Sequence, residues 1–296
     1  MPDWAAFALA AAALTLSLLF LTRRSERLLE RARIADSRDE VSDAPSDVGD
    51  AGRDPRGEAD GNAADTESDP DAPGVEGAAD TGAGPAIRRP DDRPVLTTRL
   101  LLLNATASQA GGLVVLAAVA WWAAVPAAAF GVGGTHPTLG VGPVASLGTP
   151  ALVAVGVTAG IALTTGNEAA ARLGSRVGLA PSDRLRAAMA PGTAGEWVLL
   201  LIVALPVVAV FEEALFRGAL VGALAAGFAV DPWLLAVGSS VAFGLGHGAQ
   251  GRLGIVVAGA LGLALAGLFV ATGSLLVPVV AHYVVNAVEF AVHERS

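Results

Sequence analysis

The sequence predicts an all-α fold, a polytopic bundle of about seven transmembrane helices. Hydrophobic residues make up 53% of the 296 residues, and the mean hydropathy is +0.57; a soluble domain is less apolar. The apolar residues form long blocks with few charges, and about 20 such residues cross the ~30 Å hydrocarbon core of a bilayer. Spans are expected at residues 4–21, 99–124, 150–166, 195–225, 232–248, 253–271 and 275–291.

The positions of the arginines predict the orientation of the chain. Arg residues occur in the segments after the first, third, fifth and seventh spans, whereas 131–149, 226–231 and 272–274 contain none. Basic loops remain cytoplasmic. We therefore predict a multi-pass protein of the cell membrane with its N-terminus outside and its C-terminus in the cytoplasm.

Three parts are predicted along the chain. Residues 1–22 form a transmembrane anchor; a cleaved signal peptide is the alternative, but the chain opens Met-Pro-Asp instead of with basic residues. Residues 23–95 combine an Arg-rich juxtamembrane segment with an acidic linker, expected to be disordered because it has almost no large apolar residues. Residues 96–296 form the helical membrane domain, with its motifs in 195–291.

The acidity of the chain belongs to the linker. Residues 36–80 contain 15 acidic residues and three Arg, a charge of −12 against −9 for the whole chain. A tail that binds a basic partner is the alternative to a simple linker. Cysteine is absent, which excludes disulfides, thiolate zinc sites and a cysteine nucleophile.

Charged residues interrupt the fourth span. Glu213 and Arg217 are four residues apart, so they share one helix face and can pair. Glu212 points about 100° away and has no partner within the helix. An unpaired acid inside a membrane span is a candidate functional residue, since burying it is costly.

His247 ends the fifth span, four residues after Phe243. Glu212 and His247 lie about 14 and 16 residues from the same turn, which is roughly 21 and 24 Å along each helix. In an antiparallel hairpin they would therefore reach nearly the same depth.

His282 and Asn286, in the last span, are four residues apart and face the same way. His282 lies only about 8 residues, roughly 12 Å, from the preceding turn. Either this helix is set deeper than its neighbours, or the turn at 272–274 dips into the protein.

These residues are suited to hydrolysis. Glu212 would act as general base and His247 would hold and polarise a water, while His282 and Asn286 would donate hydrogen bonds to the oxyanion. Alternatively, Glu212, His247 and His282 would bind Zn²⁺ with a water in the fourth position. The spacing does not single out a metal, so no cofactor is favoured.

The three motifs, Glu-Glu-x-x-x-Arg, Phe-x-x-x-His and His-x-x-x-Asn, occur in this order in hydrophobic segments. Together they resemble the CAAX prenyl protease 2 and bacteriocin-processing (CPBP, or Abi) family of intramembrane proteases, over about one third of the chain. The resemblance implies a helical membrane fold, endoproteolysis within the membrane and the residue roles given above. Some members of that family are described as metalloproteases; a Glu-activated water without metal is favoured here. Supporting roles fall to Glu213, Arg217 and Phe243.

Two functions from other classes remain as alternatives. The first is a non-enzymatic immunity or scaffold protein of the same fold, and the second is a proton-coupled transporter, although the repeated halves of many transporters are not found. The predicted partners are the lipid bilayer and a peptide or membrane-protein substrate, with no nucleic acid. His136, His293 and Glu289 are expected to lie outside the site.

Overall fold

The computed structural model describes residues 1–42, 97–133, 136–140, 146–176, 178 and 184–293. This part of the chain is helical and contains no strand, which confirms the all-α prediction. The helices are α1 (Trp4–Ser42), α2 (Thr98–Trp122), α3 (Thr149–Arg176), α4 (Arg184–Ala188), α5 (Ala194–Phe228), α6 (Pro232–Gly246), α7 (Gly251–Thr272) and α8 (Leu276–His293).

Each predicted span coincides with one apolar helix. Five helices, α1, α2, α3, α5 and α7, are long and apolar enough to cross a membrane. Two shorter apolar helices, α6 and α8, have 15 and 18 residues. The described residues thus have the helical content of an integral membrane bundle, while the orientation of its termini stays a prediction.

The chain divides into two units, Met1–Ile34 with Leu96–Ser296 and Ala35–Val95. The first unit contains all the apolar helices. In the second unit the described residues, 35–42, continue α1, which therefore extends 20 residues beyond the predicted end of the anchor. The rest of the predicted acidic linker lies outside the described residues.

The N-terminal part of α1 packs against the other helices of the first unit along one stripe. Phe7 and Ala11 are buried, and Trp4, Leu14 and Leu18 pack against the same hydrophobic core. The spacing of three and four residues is that of a helix–helix seam. The predicted anchor is therefore part of the packed membrane domain.

Glycines permit close approach between two further pairs of helices. A Cβ added at Gly160 of α3 would lie 2.7 Å from Cβ of Val284 in α8, and one added at Gly244 of α6 would lie 2.7 Å from the carbonyl oxygen of Ile255 in α7. Close packing of small residues is a principal source of helix association in a bilayer. These contacts fix α8 and α6, which carry the motif histidines.

The segment after α2 covers one end of the bundle. Its 3₁₀ turn, Ala127–Phe130, places the Phe130 ring where a side chain on Gly218 of α5 would be. Further on, the amide of Leu275 donates to the carbonyl of Gly131 at 3.0 Å, and Gly273 lies against the backbone of Leu139. The turn between α7 and α8 is thus covered by protein.

Candidate active site

The two adjacent glutamates in the middle of α5 have different environments. The side chain of Glu213 is fully buried, whereas 15% of the Glu212 side chain is exposed. They diverge because consecutive residues on a helix point about 100° apart. Glu212 is therefore the carboxylate that another molecule can reach.

Glu213 is the centre of a buried polar network. Its Oε1 accepts hydrogen bonds from Nη1 of Arg217 at 2.8 Å and from Nδ1 of His282 at 2.7 Å. Arg217 is also fully buried; its Nη2 donates to the carbonyl of Gly262 at 2.8 Å, and its guanidinium lies 4.6 Å from the centre of the Phe243 ring. The predicted pair is present, and it reaches α6, α7 and α8 as well as its own helix.

The bond from Glu213 fixes the tautomer of His282. The Glu213 carboxylate faces a guanidinium, and an ionised carboxylate can only accept hydrogen bonds, so Nδ1 of His282 carries the proton. Nε2 is then the ring nitrogen directed to the remaining acid: it lies 3.7 Å from Oε2 of Glu212. The bridge from Glu213 to His282 was not predicted from the sequence, which gives no sign of which helix the buried acid faces.

The depth of His282 follows from the covered turn. Because residues 273–275 lie under the 131–140 segment, α8 begins inside the protein, and about 8 residues suffice to bring His282 level with Glu213. Of the two explanations offered by the sequence, the turn that dips into the protein is the one observed.

His247 lies at the end of α6, where the helix gives way to the 3₁₀ turn Gly248–Gln250. Its Nδ1 is 2.8 Å from the carbonyl oxygen of Phe243, and the two rings are tilted by 41° to each other with centroids 4.5 Å apart. A carbonyl only accepts, so Nδ1 donates and Nε2 has the free lone pair. Within the described residues, the Glu212 carboxylate lies near the ring of His282, and no such contact is found with His247.

The Phe243 ring connects the parts of the site. It meets the His282 ring edge-on at 5.9 Å and the Phe216 ring edge-on at 5.1 Å. Asn286, one turn after His282 on the half-buried part of α8, makes no hydrogen bond to a described side chain or backbone group.

The helix that carries the glutamates is not regular. A π-helical segment, Leu199–Ala204, precedes the α-helical stretch Leu205–Glu213, and a second one, Ala214–Ala223, follows it. π-turns within α-helices are frequent at functional sites. They widen the helix on both sides of the glutamates, a feature that hydrophobic periodicity did not reveal.

The residues do not fit a preformed metal site. Among the described residues, no three His, Cys, Asp or Glu side chains come together closely enough to hold an ion. Glu212 and His282 are near each other, but the third ligand that a zinc site would need, His247, is not grouped with them. We therefore derive no step through a metal.

His136 and Glu289 are expected to lie outside the site, and the structure describes the surroundings of both. His136 is buried in the segment after α2: its Nε2 donates to the carbonyl of Ala129 at 2.9 Å, and its Nδ1 accepts from the amides of Thr138 and Leu139, both at 3.1 Å. Glu289 is half-buried, two turns beyond His282. The side chain of His293 is outside the described part.

Comparison with known proteins gives one match. No curated protein and no solved structure matches the chain. Residues 194–288, which contain all three motifs, match the family model of Rce1-like type II CAAX prenyl endopeptidases. The match covers about one third of the chain and agrees with the resemblance that the motifs indicated. Residues 194–288 are thus similar to a CAAX-type intramembrane protease family, consistent with the CPBP family.

Proposed function

We propose that this protein is an intramembrane endopeptidase that hydrolyses peptide bonds of membrane-associated or prenylated substrates. The observation that supports this most is the partly exposed carboxylate of Glu212 beside Nε2 of a histidine that a buried ion pair holds in place. The match to an endopeptidase family supports the same reaction class.

Glu212 acts as general base. Its carboxylate takes a proton from a water molecule while the water oxygen attacks the scissile carbonyl, and the same proton then passes to the leaving amine. The free lone pair on Nε2 of His247 accepts a hydrogen bond from that water and helps to orient it. Apolar helices around the site keep other water away and strengthen these interactions.

The oxyanion is stabilised from α8. Asn286 donates from its amide in every protonation state of the site. His282 donates from Nε2 only when the ring carries both protons, because its Nδ1 proton is engaged by Glu213. Glu213 and Arg217 hold His282 and do not meet the substrate, since both are fully buried.

The substrate class follows the name of the matched family, the type II CAAX prenyl endopeptidases. Prenylated peptides are therefore the first substrates to test, together with unmodified peptides and membrane-protein fragments. Hydrophobic anchoring would deliver a peptide bond to a site that lies within apolar helices.

Purified protein in detergent would be incubated with a quenched peptide library that includes prenylated peptides. Glu212→Gln keeps the shape of the side chain and removes the base, so cleavage should fall at least about a hundredfold. Glu196→Gln is the matched control: Glu196 caps the start of the same helix, and Gln can fill that role. Cleavage by Glu212→Gln at the wild-type rate would refute the proposed site.

A chelator arm would test the metal alternative on the wild type. We expect cleavage to survive chelation, because Glu212, His247 and His282 are not gathered into one coordination site. Loss of cleavage on chelation that zinc restores would instead show that the activity depends on a metal, with these three residues as the candidate ligands.

A further inference from the structure

The ring of His136 is hydrogen-bonded at both nitrogens, and the two nitrogens play opposite roles. Nε2 donates to the carbonyl of Ala129 at 2.9 Å, while Nδ1 accepts from the backbone amides of Thr138 and Leu139, both at 3.1 Å. Only the neutral ring with its proton on Nε2 can make all three bonds. Because the ring is buried, water does not replace a lost bond while the segment stays closed.

The described residues 131–133 and 136–140, here called the strap, hold the turn between α7 and α8. The amide of Gly140 donates to a carbonyl of α7, and the amide of Leu275 donates to the carbonyl of Gly131, both at 3.0 Å. The bonds of His136 close the strap on itself and on the preceding 3₁₀ turn. The strap and the turn that it covers are therefore one hydrogen-bonded unit.

This unit supports both helices that meet at Glu213. Helix α8 begins at Leu276, and less than two turns later Nδ1 of His282 meets Oε1 of Glu213 at 2.7 Å. On α5, a Cβ added at Gly222 would lie 3.0 Å from Nε2 of His136. The ring of His136 thus packs directly on the helix of the glutamates and closes the strap that sets the start of α8.

Within the described residues, no charged group contacts this ring. Its contacts come from its own strap and from each element packed on it, and none of the residues is titratable: Ala129, Thr138, Leu139, Gly222 and Phe269. Burial therefore holds the pKa of His136 below its ordinary value of 6.5. The ring is neutral at neutral pH and takes up a proton only in acid.

We propose that His136 is an acid-sensitive clasp: protonation of Nδ1 breaks its bonds to Thr138 and Leu139, opens the strap and releases the turn that sets α8. A protonated Nδ1 directs a hydrogen at two N–H donors, so both bonds are lost together. The bond from Nε2 to Ala129 exists in either protonation state, so the ring stays on the 3₁₀ turn while the rest of the strap detaches.

The consequence for the site is a loss of activity in acid. Once the turn is released, α8 no longer holds His282 at Glu213, and a shift of about 1 Å is enough to break that bond. The strap belongs to the segment predicted to lie outside the cell, so the pH outside would control a site within the membrane. This loss of activity rests on the proposed endopeptidase function, whereas the opening of the strap does not.

An introduced thiol would report the opening, because the chain contains no cysteine. Leu139→Cys places the thiol at a buried position of the strap, and Val132→Cys places it at an exposed position of the same strap. Dividing the labelling rate of the first by that of the second, with a water-soluble methanethiosulfonate, removes the effect of pH on the thiol. The ratio should rise about tenfold from about pH 7.5 to about pH 5. A constant ratio would overturn the proposal.

Hydrogen exchange on the wild type gives the same information without a substitution. The amides of Thr138 and Leu139 should lose protection in acid, after correction for the intrinsic pH dependence of exchange, because Nδ1 no longer accepts from them. Protection that persists at about pH 5 would overturn the proposal even if Leu139→Cys failed to fold.

Two neutral variants separate the clasp from other effects of acid. His136→Asn places a side-chain carbonyl where Nδ1 accepts, as in an Asx-turn, and His136→Gln keeps a donor for the carbonyl of Ala129. In neither background should the ratio of Leu139→Cys to Val132→Cys labelling rise in acid. A rise equal to that in the wild-type background would assign the opening to another group and overturn the proposal.

Cleavage tests the connection to the site. The kcat of the wild type divided by that of His136→Asn should fall severalfold from about pH 7.5 to about pH 5, since Glu212, His247 and His282 titrate in both proteins and their effects cancel. A constant quotient in a protein whose strap opens would overturn the connection to α8. Labelling and exchange need no substrate, so they test the clasp even if cleavage by Glu212→Gln at the wild-type rate refuted the proposed function.

Discussion

Gly160 is the position where one methyl group should disturb the site from a distance. A Cβ on Gly160 would lie 2.7 Å from Cβ of Val284 and 2.8 Å from the carbonyl oxygen of Ala281, both in α8. Carbon atoms in contact prefer about 3.5–4.0 Å. Gly160→Ala should therefore displace α8 by about 1 Å.

This displacement is large compared with the bonds that α8 supplies. His282, on the same helix, meets Glu213 at 2.7 Å, and a shift of about 1 Å would break a bond of that length. Overpacking of this kind costs about 1–3 kcal/mol, and a misplacement of about 1 Å can lower a rate about a hundredfold. We therefore expect a lower Tm for Gly160→Ala. We also expect its kcat to fall by about tenfold or more.

Gly166→Ala provides the matched control in the same helix, because nothing lies within 4 Å of a Cβ at that position. It should be neutral or stabilising, since Ala favours a helix by about 1 kcal/mol over Gly. Thermal unfolding in detergent and peptide cleavage would be measured for both variants. Equal Tm and equal kcat for Gly160→Ala and Gly166→Ala would refute the reasoning.

Three further predictions concern the buried polar groups. Glu213→Leu leaves the guanidinium of Arg217 buried without its carboxylate and should destabilise the protein by about 3–5 kcal/mol; unchanged thermal unfolding would contradict this. Asn286→Leu should lower kcat about a hundredfold or more with little change in KM, and a pure KM effect in steady-state kinetics would assign Asn286 to binding alone. Burial lowers the pKa of His136 below its ordinary value of 6.5, against the bond to the Ala129 carbonyl, which raises it. As the pH falls, His136 is therefore protonated in the unfolded chain before it is protonated in the folded protein. The stability that the neutral, buried His136 contributes is intact above about pH 6.5 and is lost as the pH falls below it. A His136→Gln variant with the same Tm-against-pH curve as the wild type would disprove this.

The spans were predictable because hydrophobicity is read directly from the residues. The same holds for the Glu213–Arg217 pair, whose spacing of four residues is a property of one helix. The contact of Glu213 with His282 joins residues 69 positions apart, and no local pattern encodes it. Counting residues from a turn gave Glu212 and His247 similar depths, but depth does not determine which way two side chains face around neighbouring helices.

Features that involve other helices were also missed. The role of α3 as a support for α8 depends on glycines that read as ordinary parts of an apolar span. The π-helical segments of α5 change the geometry of a helix without changing its hydrophobicity.

The packing of α1 bears on how the protein is made. Trp4 takes the place of a side chain on Gly227, the amide of Asp3 donates to the carbonyl of Ala123, and the Phe7 ring meets the Phe130 ring edge-on at 5.6 Å. These partners are synthesised long after α1 has entered the membrane. α1 must therefore persist alone in the lipid until later helices arrive, and the bundle closes only by a late, long-range association, the step at which assembly is most easily diverted.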